Sequence, residues 1–68
     1  MELSARNQLP GTVRDVKSGA VMAEISVDVS GGVLTAAITD ASRERLGLKD
    51  GDQVTVVIKS TEVMIAKS

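Results

Sequence analysis

The stretch Val21-Met-Ala-Glu-Ile-Ser-Val-Asp-Val29 places an apolar side chain at every second position, from Val21 to Val29. Successive side chains of a β-strand point to opposite faces of a sheet, so this spacing predicts a half-buried strand. The residues that follow, Ser30-Gly31-Gly32, are typical of a turn. The chain is therefore expected to be organised around strands joined by short turns.

The same alternation recurs along the rest of the chain. Residues 34, 36 and 38 are apolar and would share one face of a third strand, and residues 54, 56 and 58 repeat this arrangement in a fourth. Two more strands are expected at residues 12–16 and 63–65, one before and one after this group. Gln8-Leu9-Pro10-Gly11 is interpreted as a bend that leads into the first strand.

One short helix is expected between the third and fourth strands. Thr39 or Asp40 can cap its N-terminus by accepting from exposed backbone N–H groups, residues 41–46 form a turn or two, and Gly47 suits the left-handed residue that ends many helices. Five strands with a helix in this place follow the order of an OB fold. The predicted fold is all-β: one domain, residues 1–68, forming an OB-fold-like five-stranded Greek-key barrel with one short helix between strands 3 and 4.

Composition limits how such a domain is stabilised. The chain has 68 residues and no cysteine, histidine, phenylalanine, tryptophan or tyrosine. Disulfides and Cys/His zinc sites are therefore impossible, and the aromatic side chains that bury most area per residue are missing. A core built from small aliphatic side chains in so short a chain is thin. We therefore expect subunit interfaces to complete the core.

Charge and motif content exclude several classes of function. A formal net charge of −1 argues against non-specific nucleic-acid binding, which needs a basic surface. No apolar stretch is long enough for a membrane span and no signal-peptide pattern opens the chain, so a cytoplasmic protein is expected. No nucleophile has a partner base and no phosphate-binding glycine pattern occurs, so an enzyme is not expected.

Hydrogen-bond donors are concentrated in the N-terminal tetrapeptide Ser4-Ala5-Arg6-Asn7. A tetrahedral oxyanion is held by convergent hydroxyl groups, amide N–H groups and cations, and this segment offers all three. Taken alone, it is better explained as a solvated N-terminal segment.

Three later segments offer further donors. Lys59 and Ser60 follow an apolar strand, Thr39 precedes the helix, and Gly19 allows the backbone amides of Ala20 and Val21 to approach an anion closely. Each has a simpler structural interpretation: a surface charge, a helix cap and a plain turn, respectively.

Taken together, Ser4-Ala5-Arg6-Asn7, Ala37-Ile38-Thr39 and Ile58-Lys59-Ser60-Thr61 resemble the molbindin (Mop-domain) family over nearly the whole chain. The resemblance implies storage or buffering of molybdate or tungstate, bound as the oxyanion with no direct metal ligand and no organic cofactor. The residues it implies as ligands are Ser4, Arg6, Ala20, Val21, Thr39, Lys59 and Ser60.

The resemblance also implies a homo-oligomer, a hexamer arranged as a trimer of dimers, with ligands between subunits. Ser4 and Arg6 would come from one subunit, and Thr39, Lys59 and Ser60 from another. Two alternatives stay open: a nucleic-acid-binding OB-fold domain, and a regulatory or transport-associated Mop subunit. The first is disfavoured because such domains use aromatic stacking platforms and a positive groove.

Overall fold

Four antiparallel strands form a single sheet in the computed structural model, which describes residues 4–68. The strands lie in the order β3-β2-β1-β4, so β3 and β4 are the two edges. The elements in chain order are β1 (Asn7–Lys17), β2 (Met22–Val29), β3 (Gly32–Thr39), helix α1 (Asp40–Leu46), β4 (Gln53–Ile58) and a 3₁₀ turn (Ser60–Glu62). The predicted element order is thus confirmed as far as the fourth strand.

Strand β2 carries most of the core. Ala23, Ile25 and Val27 are buried, as is Val13 of β1 opposite Val27. The alternation predicted from the sequence is confirmed in β2, β3 and β4, where every second residue turns toward this core. Seven partly buried aliphatic residues pack around it: Val16, Val29, Ala36, Ile38, Leu48, Val54 and Val56.

Strand β1 is longer than the sequence predicted, because residues 8–11 belong to it and do not form a bend. Its first half pairs with β4 and its second half with β2. β1 pairs with β2 only from Gly11 onward, so at Pro10 one side of β1 has no partner strand. Proline, which has no N–H group to donate, is tolerated at such an edge position. A Cβ at Gly11 would lie 2.6 Å from Val27 Cγ1 and 2.8 Å from the Asp28 carbonyl oxygen, so glycine is required where the pairings overlap.

Helix α1 has the predicted caps. The Ser42 backbone N–H donates to Thr39 Oγ1 at 3.1 Å, and Gly47 ends the helix with φ of 64°, in the left-handed region. Asp40 in the first turn accepts from Arg43 in the same helix. Within residues 4–68 no helix is long and apolar enough to cross a membrane.

The C-terminal segment is where the fold departs from the prediction. Residues 63–65 were expected to form the fifth strand, but in the described part of the chain, residues 4–68, they pair with no strand. The side chains of Met64 and Ile65 are 92% and 90% exposed, and Val63 is 44% exposed. The 3₁₀ turn at Ser60–Glu62 carries the chain away from β4, so the sheet of a single chain stays open between its β3 and β4 edges.

Candidate functional site

The N-terminal segment and the end of β4 leave the sheet together. Asn7 pairs with Ile58 in the β1–β4 ladder, and its Nδ2 donates to the Ile58 carbonyl oxygen at 3.3 Å. Gln8 Nε2 donates to the Ala5 carbonyl oxygen at 3.1 Å, which ties the segment to the start of β1. Ser4 and Arg6 therefore lie at the same end of the sheet as Lys59 and Ser60. We call these four residues the Lys59 cluster.

The Lys59 cluster is exposed and positively charged. All four of its side chains are accessible to solvent, and within residues 4–68 neither Arg6 nor Lys59 is in an ion pair. Two cations and two hydroxyl groups at one place make a surface of donors, and its members lack a carboxylate. Such a surface attracts a small dianion, which needs donors and positive charge from every side.

The turn between β1 and β2 contacts the start of α1 at the opposite end of the sheet. The Asp40 backbone N–H donates to the Val21 carbonyl oxygen at 2.8 Å, and Met22 pairs with Thr39. Gly19 permits this turn, because a Cβ there would lie 2.5 Å from the Met22 carbonyl oxygen. Ala20, Val21 and Thr39 are thereby brought together, and we call them the Thr39 cluster.

Asp40 fixes this end of the sheet. Its carboxylate accepts from Arg43 Nε at 2.7 Å and from Arg43 Nη2 at 3.2 Å. The hydrogen bond from Arg43 holds the pKa of Asp40 below its usual range, and the Gly19 backbone N–H acts in the same direction, while burial opposes both. Because Arg43 is paired with this carboxylate, the negative charge beside the Thr39 cluster is compensated.

The Thr39 hydroxyl group is occupied within its own chain. It accepts from the Ser42 N–H and donates to Ser42 Oγ at 2.8 Å. The cap function considered from the sequence is thus confirmed. A hydroxyl donation from Thr39 to an anion requires its proton to turn away from Ser42, so the donors most accessible in this cluster are backbone amides.

The two clusters are far apart in one chain. β1 runs from one to the other, and its 11 residues at about 3.3 Å each have a contour length of at most about 35 Å, shortened by an irregularity between Val13 and Asp15. No small anion can contact both clusters of a single chain. The grouping within one chain differs from the division expected from the sequence. The β1–β4 register places Lys59 and Ser60 at the same end of the sheet as Ser4 and Arg6, and Thr39 lies at the other end.

A groove on the core side of the sheet offers no polar site. Its volume is about 240 Å³, and aliphatic side chains of the sheet and of α1, among them Ile25, Ile38 and Leu46, line it. None of the residues expected to bind the oxyanion lies in it. The described residues also contain no group of three or more Asp, Glu, His or Cys side chains that could hold a metal ion.

Sequence reasoning missed the Asp40–Arg43 pair, although the signal was present. Residues three apart on a helix are neighbours, and an aspartate in the first turn with an arginine at this spacing is a common ion pair. The contact of its carboxylate with Gly19 could not be found this way, since it depends on how the β1–β2 turn meets the helix.

Comparison with known proteins gives consistent matches along the chain. The family model described as TOBE domain matches residues 3–65. Molybdenum-pterin-binding protein 3 of Clostridium pasteurianum is 52% identical over 66 residues, which are 96% of this chain and 97% of that protein.

Solved structures agree with this similarity. A molybdate-binding protein from Sporomusa ovata has a TM-score of 0.94 and 45% identity, over 98% of this chain and 100% of that chain. MopII from Clostridium pasteurianum has a TM-score of 0.89 and 46% identity, over 97% of this chain and 100% of that chain. The similarities therefore cover whole chains of nearly the same length.

Proposed function

The chain belongs to the TOBE domain family, together with Mop proteins of its own length, and from this premise we propose that it binds molybdate between copies of itself. The observation that carries the proposal is the separation of the Lys59 and Thr39 clusters at opposite ends of β1. Both clusters are rich in donors, and they can act on one anion only when two chains meet.

Each cluster would supply a different kind of contact. Arg6 and Lys59 bring positive charge, and Ser4 and Ser60 bring hydroxyl donors that can turn toward the ligand. The Ala20 and Val21 amides would come from the second chain, with Thr39 beside them. Binding, without chemical conversion of the ligand, is the proposed activity.

A surface made of donors favours some oxyanions over others. Phosphate near neutral pH keeps a proton that needs an acceptor, and leaving a buried donor unpaired costs about 1–3 kcal/mol. Molybdate and tungstate carry no such proton, so both are proposed as ligands. Sulfate also lacks the proton, and its exclusion would rest on its smaller size.

We further propose a cytoplasmic store or buffer of these oxyanions, assembled as a hexamer built as a trimer of dimers. A chain without cysteine, histidine or aromatic residues gains stability from interfaces more readily than from its own core. Native mass spectrometry with and without molybdate tests this assembly and the ligand number together. A monomer that binds molybdate with full affinity would contradict a site shared between copies.

The binding proposal is tested by calorimetric titration with molybdate. Lys59→Ala is expected to weaken binding about 10- to 100-fold, because a hydrogen bond to a charged group contributes about 1.5–3 kcal/mol. Lys49→Ala is the matched control, since it removes the same charge from an exposed turn remote from both clusters. Equal affinities for the two variants would remove Lys59 from the site, and phosphate displacing molybdate at equal concentration would refute the selectivity.

A further inference from the structure

Asp40 contacts the β1–β2 turn at two points, one on each side of Ala20. Its backbone N–H donates to the Val21 carbonyl oxygen at 2.8 Å. Its carboxylate lies near Gly19: the hydrogen bond from Arg43 is the main cause of its lowered pKa, and the Gly19 backbone N–H acts in the same direction. The placement of the Ala20 and Val21 N–H groups therefore depends on where Asp40 is held.

Arg43 fixes the position of the Asp40 carboxylate. Nε donates to Oδ1 at 2.7 Å and Nη2 donates to Oδ2 at 3.2 Å, so the two groups meet side by side. A bidentate pair of this kind restricts both side chains to one arrangement. Only 22% of the Arg43 side chain and 21% of the Asp40 side chain are exposed. The pair thus joins α1 to the turn that contains Ala20 and Val21.

The same pair sets the charge beside the proposed anion site. The Asp40 carboxylate lies beside the Gly19 N–H, and consecutive Cα atoms are about 3.8 Å apart, so it is roughly 7 Å from the Ala20 amide. This distance is shorter than the Debye length of about 8 Å at physiological salt. A carboxylate left without its arginine would therefore repel a dianion bound at the Ala20 amide.

We propose that Arg43 is a positioning residue for oxyanion binding: acting through Asp40, it holds the β1–β2 turn in place and cancels the charge that would repel the ligand. The inference rests on the proposed function, since it concerns the Thr39 cluster of that same site. Arg43 need not contact the anion, because its guanidinium is engaged by Asp40. Loss of Arg43 alone should then be more harmful to binding than loss of both partners, because only the single loss leaves a bare carboxylate.

Calorimetric titration of the full chain with molybdate tests this order. Arg43→Met removes the guanidinium but keeps an unbranched side chain, and it is expected to weaken binding about 10-fold through repulsion by the bare carboxylate. Adding Asp40→Asn to this variant is expected to restore most of the affinity, since asparagine is neutral and its side-chain oxygen still accepts from the Gly19 N–H. A pair with a merely structural role would leave the double variant as weak as Arg43→Met or weaker, and that result would overturn the proposal.

Salt dependence separates the effect of charge from an effect of packing. The Debye length falls from about 10 Å at 0.1 M salt to about 3 Å at 1 M, so the deficit of Arg43→Met relative to the unmodified chain should shrink over this range. A deficit of the same size at both concentrations would contradict the role of charge.

Arg43→Lys is the conservative variant. It keeps the positive charge and loses the bidentate geometry, so it is expected to bind molybdate within about 3-fold of the unmodified chain. A loss about 10-fold or larger in this variant would overturn the proposal. The comparison also decides the matter if thermal unfolding shows that Arg43→Met does not fold.

Arg14→Met is the matched control. It removes the same group from an exposed pair with Asp28, in which the closest atoms are 3.5 Å apart. Asp28 is six residues from Met22 along β2, which is about 20 Å from the Thr39 cluster. Its affinity for molybdate is expected to equal that of the unmodified chain. Equal losses in Arg14→Met and Arg43→Met would assign the effect to net charge and overturn the proposal.

The same titrations distinguish failure of this inference from failure of the proposed function. If the proposed function is wrong, the unmodified chain does not bind molybdate and the inference falls with it. If the inference alone is wrong, the unmodified chain binds and Lys59→Ala weakens binding, whereas Arg43→Met binds as the unmodified chain does.

Discussion

Strand β2 and the segment 63–65 both carry large apolar side chains, yet their surroundings in the chain are opposite. β2 has a strand on each side and buries Ala23, Ile25 and Val27. Among residues 4–68 the C-terminal segment has no neighbouring strand, and Met64 and Ile65 are exposed to solvent. The contrast shows that burial of an apolar segment is favourable wherever it lies, but that the order of strands in the sheet decides whether the segment is buried by its own chain.

The largest expected effect comes from shortening one isoleucine in each region. Ile25→Ala is expected to lower the free energy of unfolding by about 2–5 kcal/mol, since the residue is buried and the cavity cannot fully collapse. Ile65→Ala should leave the stability of a dissociated chain nearly unchanged. Guanidinium unfolding at high dilution measures both, and equal losses would show that the segment 63–65 packs on its own chain.

A second prediction concerns crowding, which differs between two glycines of the paired strands, Gly11 in β1 and Gly32 in β3. Gly11→Ala is expected to destabilise the chain by about 1–3 kcal/mol, because the new methyl group meets Val27 and the Asp28 carbonyl oxygen. Gly32→Ala is the matched control, as an added Cβ there has nothing within 4 Å. Thermal midpoints at equal chain concentration compare the two, and a Gly11 variant as stable as the Gly32 variant would contradict the overlap of the two pairings.

Much of the fold was predictable because it depends on local chemistry. The alternation at residues 23, 25 and 27 and the caps Thr39 and Gly47 act through neighbours close in sequence. The length of β1 was not predictable, because Pro10 is tolerated only where the opposite side of the strand lacks a partner. The unpaired state of residues 63–65 was also not predictable, because an apolar segment has the same sequence pattern whether or not another strand pairs with it.

The sequence predicted which residues belong to the candidate site, but it did not predict which of them lie close together. Donor-rich segments around Ser4, Thr39 and Lys59 can be found by residue type. Their division into two clusters follows from the pairing of Asn7 with Ile58, which are far apart in sequence. Only the sheet order shows that Lys59 accompanies Ser4 and Arg6.

A smaller effect is expected from the two helical turns at the ends of β3 and β4. α1 has a side-chain cap from Thr39, whereas the 3₁₀ turn after Lys59 has none. Thr39→Ala should therefore cost about 1 kcal/mol of stability, the usual value for loss of such a cap. Thr61→Ala, in the uncapped turn, should cost less. Urea unfolding of both variants measures the difference, and equal losses would mean that the Thr39–Ser42 bond adds no stability.

The smallest expected effect is a dependence of the chain's stability on pH, which arises from Asp40 at the start of α1 and not from the segment 63–65. The hydrogen bond from Arg43 favours the ionised form of Asp40, and the Gly19 N–H acts in the same direction, which is why the pKa of Asp40 is lowered. The stabilisation is complete above the ordinary pKa of about 3.9 and is lost as the pH falls through the lower pKa of the folded chain.

Asp40→Asn should lower the thermal midpoint near neutral pH, and its difference from the unmodified chain should shrink below about pH 4. Asp50→Asn is the control, since its side chain has no hydrogen bond or ion pair within residues 4–68. A difference that stays constant through this range would mean that the ionised carboxylate does not hold the β1–β2 turn against α1.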